Sequence, residues 1–171
     1  MVRDGYAVYE TLGKTPAGVR GEGMKFCFLD SNLEDFSEPP ALLAFKKKPS
    51  EFFLRGSHSI LHDEQVKLIP EEQHKVDKKY PGDGLVVDEG ELSEWIELAW
   101  THFQATGRKV RLLGKVFGDN LTWTKTYERN GAYRACFGNW DEARGADARF
   151  WKSGYAKPRL GLAPLVRIPR K

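Results

Sequence analysis

A chain of 171 residues, 40% hydrophobic and 30% charged, is sized for one ordinary domain with a real core and has no low-complexity tract. No apolar run approaches a membrane span and no secretion-signal core opens the chain, so neither a membrane partner nor export is expected. Cys27 and Cys136 make no disulfide framework and have no metal-type neighbour at short spacing, which points to a reducing, cytoplasmic setting.

In chain order, residues 1–40 read as an N-terminal extension. It is glycine-rich at first, with a turn at Thr15-Pro16-Ala17-Gly18, a strand over Met24 to Leu29, and an acidic stretch ending at Pro39-Pro40. The domain proper is expected from 41 to 171. Ala41 to Phe45 and Val66 to Pro70 read as short strands, and Glu71 to Asp83 as an exposed loop. Leu85 to Val87 is an apolar run leading into Asp88-Glu89-Gly90-Glu91. Leu92, Trp95, Ile96, Ala99, Trp100 and Phe103 then recur with helical period, so an amphipathic helix is expected over 92–106 with Gly107 as its stop. Val110 to Phe117 reads as a strand, Asn130-Gly131 as a hairpin turn, and Leu160 to Ile168 as a last strand broken by Pro164. Short strands and one helix give a mainly β or α+β fold.

Two features carry chemistry. In an extended strand, side chains two apart share a face, so Glu89 and Glu91 are expected to project together, with Gly90 allowing close approach between them. Two carboxylates on one face call for a counter-charge, which a hard divalent cation supplies. A solvated acidic turn is the other reading of the same residues. The second feature is an asymmetry of charge. Residues 123–171 hold 11 Lys and Arg against 4 Asp and Glu, interleaved with Trp123, Tyr127, Trp151 and Tyr155 among other aromatics. Such a segment could bind nucleic acid through phosphate contacts and stacking, although a basic surface over an aromatic core is the simpler reading. Of the histidines, His58 and His62 are spaced to fall on one helical face as two ligands, a loop or short strand with surface histidines being an equal reading of the segment, while His102 is expected to be solvated.

Taken together, these segments resemble the fumarylacetoacetate hydrolase family, in its C-terminal catalytic domain. Asp88-Glu89-Gly90-Glu91-Leu92 is similar to that family's metal strand, Asp-Tyr-Glu-Gly-Glu-Leu. Phe45 to Ser50, Gly56 and Leu68-Ile69-Pro70 are similar to its Phe-x-Lys-Pro-Ser segment and the strand that follows. Gly114 to Thr122 resembles Gly-Tyr-x-x-Gly-Asn-Asp-Val-Ser, and Lys157 to Leu165 resembles Lys-Gly-Phe-Asp-x-Phe-Ala-Pro-Leu. The chain departs from the pattern where Asn120 aligns with the third metal-binding Asp, and where Phe36 aligns with the His of a catalytic dyad. It also ends before the strands that close the family's site.

The resemblance implies an incomplete, mixed β-roll and a magnesium- or manganese-dependent enzyme. Glu89, Glu91 and Asn120 or Asp119 would hold the ion and Lys157 would act on the reacting atoms. The substrate would be a small diketo or oxo acid whose C–C bond is worked on by a hydrolase, decarboxylase or tautomerase. The alternative is a binding or scaffold protein of the same fold that has lost catalysis and uses its basic, aromatic C-terminal third to hold nucleic acid or an acidic partner. With the closing strands absent, uncovered sheet edges also predict a dimer or larger homo-oligomer.

Overall fold

The computed structural model describes residues 4–106, 119–128, 131–141 and 143–170, and their strands form two sheets. One sheet is antiparallel throughout, in the order β1 (Tyr6–Glu10), β3 (Leu42–Lys46), β9 (Leu165–Ile168), β4 (Val86–Asp88). The other is mixed, in the order β2 (Phe26–Leu29), β7 (Gly145–Lys152), β6 (Tyr133–Asp141), β5 (Leu121–Tyr127), β8 (Leu160–Gly161). Strands β2 and β8 lie parallel to their neighbours and the central pairs are antiparallel. The fold is therefore α+β, as the sequence implies.

The shorter helices are α1 (Pro16–Gly21), α2 (Pro49–Phe52), α3 (His62–Val66) and α4 (Ile69–Lys79). The longest, α5 (Leu92–Ala105), packs against both sheets. The expected helical period is what buries it: Trp95, Ile96 and Leu98 are at most 1% exposed. They share a core with Leu43 and Phe45 of β3 and with Ala135, Phe137, Ala146 and Ala148 of β6 and β7. Each large apolar side chain buried this way contributes about 1.5–3 kcal/mol. Alternate residues of β3 and β9, Ala44 and Val166, face the other way and pack with Val76 of α4. The order of layers is thus α4, first sheet, α5, second sheet. No helix among the described residues is long and apolar enough to cross a membrane.

Three local expectations are corrected. Residues 66–70 and 71–83, where a strand and a loop are expected, hold instead the end of α3 and the whole of α4. Pro70 falls in the first turn of α4, where a proline costs no hydrogen bond, with Glu71 and Glu72 beside it and Lys78 and Lys79 in the last turn, all matched to the helix dipole. Gln73 then ties α4 to β4, donating to the Leu85 carbonyl at 2.9 Å and accepting from the Val87 amide at 2.7 Å. The described part of residues 1–40 supplies β1 and β2, one to each sheet, and buries Val19, Met24 and Leu33, which are at most 2% exposed. His102 is buried rather than solvated, with its Nδ1 2.7 Å from the Tyr9 hydroxyl, and burial pushes its pKa down. Pro164 does break the last strand, and it does more: β8 lies in one sheet and β9 in the other. The strand expected over Val110 to Phe117 lies outside the described residues.

Candidate functional site

Gly90 decides what becomes of the two glutamates. Its φ of +71° is a left-handed conformation, and a Cβ there would lie 2.4 Å from Leu165 Cδ1. The turn ends the strand's alternation, so Glu89 and Glu91 take different hydrogen-bond partners. Glu89 is 7% exposed. Its Oε1 accepts from Arg134 Nη1 at 2.9 Å, its Oε2 lies 2.7 Å from His62 Nε2, and its backbone carbonyl accepts from Trp95 Nε1 at 2.9 Å. Glu91 instead begins α5, where its Oε2 accepts from the Thr126 hydroxyl at 2.8 Å. Burial raises its pKa, and the charges of Glu38 and Glu94 push the same way. Asp88, one residue before the pair, is bonded to Lys125 and Arg167.

The other expected ligands lie apart from this arrangement. Asp119 is 76% exposed and 3.9 Å from Arg159. Asn120 accepts the Asn139 amide through its backbone carbonyl and lines a cleft beside His58. His58 and His62 do not act as a pair, since His62 opens α3 while His58 sits edge-on to Phe53 in the preceding turn. Among the described residues no three of His, Cys, Asp and Glu form a group that could hold a metal ion. The donor set around Glu89 does not fit Mg²⁺ or Mn²⁺, because a guanidinium already stands where the cation is expected.

Arg134 and His62 were not legible as partners of Glu89. The usable signal was parity along β6: Ala135 and Phe137 face α5, so Arg134 and Cys136 face the outer side of the second sheet. On that side Leu121, Trp123, Cys136 and Leu160 form a second apolar cluster, covered by Leu54, Leu68 and Ile69 and by His62 of α3, with Trp151 at its edge.

Strand register orders those side chains. Arg134 pairs with Tyr127 across β5 and with Trp151 across β7. Its guanidinium carbon lies 3.9 Å from the centre of the Tyr127 ring. Lys157, the residue expected to be catalytic, places its Nζ 3.9 Å from the centre of the Trp151 ring and 5.5 Å from that of Tyr155. The result is a row in which aromatic and cationic groups alternate: Tyr127, Arg134, Trp151, Lys157, Tyr155. Tyr127 and Tyr155 are about half exposed.

A cleft of about 410 Å³ lies beside this row, with Arg149, Trp151, Lys157 and Arg159 among its walls. Arg149 rests over the Phe28 ring at 4.7 Å and is ion-paired to Asp147 at 2.5 Å. Asp147 is nearly buried, and burial alone would raise its pKa. Hydrogen bonds from Arg149, Asn139 and Cys27 outweigh that and hold it below the usual carboxylate range. Such an arrangement can offer flat rings for stacking and fixed cations for anionic groups. No protein family matches the chain, and no curated protein or solved structure matches it.

Proposed function

We propose that the protein is a binding module that holds single-stranded nucleic acid across the outer face of its second sheet. The supporting observation is the row of alternating aromatic and cationic side chains from Tyr127 to Tyr155. A single strand presents bases and phosphates in alternation. Bases stack on exposed rings whatever their sequence, and Lys157 is the cation of the row free to meet the backbone, Arg134 being buried against Glu89 and serving to hold the Tyr127 ring. Tyr127 and Trp151 stand two strands apart, roughly 10 Å, so adjacent stacking positions on the sheet do not compete for one base. Lys157 covers Trp151 in the free protein, and its flexible stem lets it move from the ring to a phosphate as a base arrives.

The finer fold reading, a fumarylacetoacetate-hydrolase-like β-roll, is supported by the order of the sequence resemblances and by the two-sheet α+β architecture. The metal-dependent enzyme that resemblance implies draws no support from the donor geometry, since Arg134 and Thr126 engage the two glutamates.

Binding of a labelled oligothymidine, followed by fluorescence anisotropy across a salt series, tests the proposal. Three phosphate contacts give a slope of log K against log salt of about −2. Lys157→Gln should lower affinity and flatten that slope, and Tyr155→Ala should cost about 1–3 kcal/mol of binding, the worth of one stacked base. Affinity that ignores salt and both substitutions would overturn the proposal.

A further inference from the structure

The cleft beside the aromatic row gathers two guanidinium groups and an ammonium at one point, more N–H donors than one phosphodiester can use. Arg149, Lys157 and Arg159 line it, against Asp119 and Asp147. Asp147 is turned away from an incoming anion, because its oxygens are already taken and its charge is offset by Arg149. Oδ1 accepts from Cys27 Sγ at 2.7 Å, and Oδ2 accepts from Asn139 Nδ2 at 2.8 Å and pairs with Arg149 Nη2 at 2.5 Å. It acts as a brace for Arg149, whose planar group is also supported by Phe28. A guanidinium held by a carboxylate behind and a ring beneath has little freedom left to lose when it binds. Arg149 Nε is buried and has no hydrogen-bond partner. Asp119 and Arg159 are both mostly exposed at 3.9 Å, a contact that contributes little and is readily given up. Asn139, in the same wall, holds a left-handed φ of +47°, the kind of backbone strain that clusters at binding sites.

A phosphodiester inside a strand carries one negative charge. A terminal phosphomonoester carries about −1.5 to −2 at neutral pH and offers three strong acceptor oxygens. Two guanidinium groups and an ammonium around one cleft can meet three acceptor oxygens, which the second offers. Trp151, in the same wall, offers its ring to the end base once Lys157 has moved to the phosphate. We infer that this cleft takes the phosphomonoester end of a nucleic-acid strand, with Arg149 as its anchor and Asp147 as the residue that positions Arg149. The inference rests on the strand-binding reading of the outer face, and adds to it a preference for a phosphorylated end.

The test compares, by fluorescence anisotropy, internally labelled oligothymidines of about twelve nucleotides, within the usual single-strand site size. One carries a 5′-phosphate, one a 3′-phosphate and one hydroxyls at both ends, with inorganic phosphate and thymidine monophosphate as competitors. One phosphorylated form should bind about tenfold tighter than the hydroxyl form, the worth of one added charge-assisted contact. That increment should shrink below about pH 6, where the monoester loses its second charge. Arg149→Gln should remove the increment while the hydroxyl form still binds. Arg159→Gln, at an exposed position, should reduce it without risk to the fold. If all three strands bind equally and the variants weaken them equally, the phosphomonoester site is overturned and the strand-binding face stands. If no strand binds but inorganic phosphate or the monophosphate raises the melting temperature through Arg149, the strand-binding face and the strand-end reading both fall, and the cleft is a site for a free phosphate compound. If neither strand nor phosphate binds, both fall.

Discussion

Glu89 and Arg134 show how one buried contact redirects the chemistry available to a chain. The carboxylate is 7% exposed and the guanidinium side chain 4% exposed, so each is tolerable only with the other. Glu89→Gln should therefore cost about 3–5 kcal/mol in urea unfolding, because it leaves a buried guanidinium uncompensated. Replacing both residues with apolar side chains should cost less than that single change, and a double substitution that costs the sum of the two singles would contradict the coupling. The neighbouring carboxylates run in opposite directions with pH. Burial pushes Asp88 up, but hydrogen bonds from Lys125, the Gly90 amide and Arg167 outweigh it and leave its pKa below the ordinary 3.8. Its contribution to stability is thus present above that value and lost as pH falls through the folded pKa. Glu91, raised above 4.5, contributes below that value and loses the contribution as pH rises through its folded pKa. Urea unfolding at pH 3 and pH 7 should show Asp88→Asn destabilising more at pH 7 than at pH 3, and Glu91→Gln stabilising at pH 7 with little effect at pH 3. The reverse pattern would reject the assignment.

At the scale of elements, helix α5 was legible because its apolar period is long and clean, and the observed Leu92–Ala105 falls one residue short of the expected end. What sequence could not supply was the conformation of Gly90. A Glu-Gly-Glu segment reads equally well as strand or turn, and the choice is made by contact with Leu165, 75 residues further along. Gly90→Ala should destabilise by more than about 2 kcal/mol, since it adds both a strained φ and an overlap. Helix α4 was missed although its signals were present: a proline in the first turn, acids after it, and lysines at the end. The helix α5 also anchors the N-terminal segment. The Glu97 carboxylate accepts the backbone amides of Leu12 at 2.5 Å and of Gly13 and Lys14 at 3.1 Å. Glu97→Ala should cost about 2–3 kcal/mol and remove hydrogen-exchange protection at those three amides. Unchanged exchange there would mean that the segment is held by other contacts.

For the whole molecule, the two sheets serve different purposes. The first is covered on both sides, by α4 and α5, and is occupied with stability. The second has α5 on one side, while Leu54, His62, Leu68 and Ile69 cover its outer face around Trp123, and the rest of that face keeps Phe28, Tyr127 and Tyr155 about half exposed among arginines and lysines. The sequence showed that residues 123–171 are basic and aromatic. It could not show that strand register would set Arg134 between Tyr127 and Trp151, because pairing between β5, β6 and β7 depends on turns whose lengths the pattern leaves open. Lys157 was singled out for catalysis by resemblance, and the structure puts it over Trp151 in the row instead. Photo-crosslinking of a single-stranded oligonucleotide to the intact protein, with the modified peptides mapped by mass spectrometry, tests this most directly. Adducts should concentrate at Tyr127, Trp151 and Tyr155 and be competed away by unlabelled strand. Specific adducts at Tyr6 or Tyr80 on the far side of the first sheet, with none on the aromatic row, would contradict it.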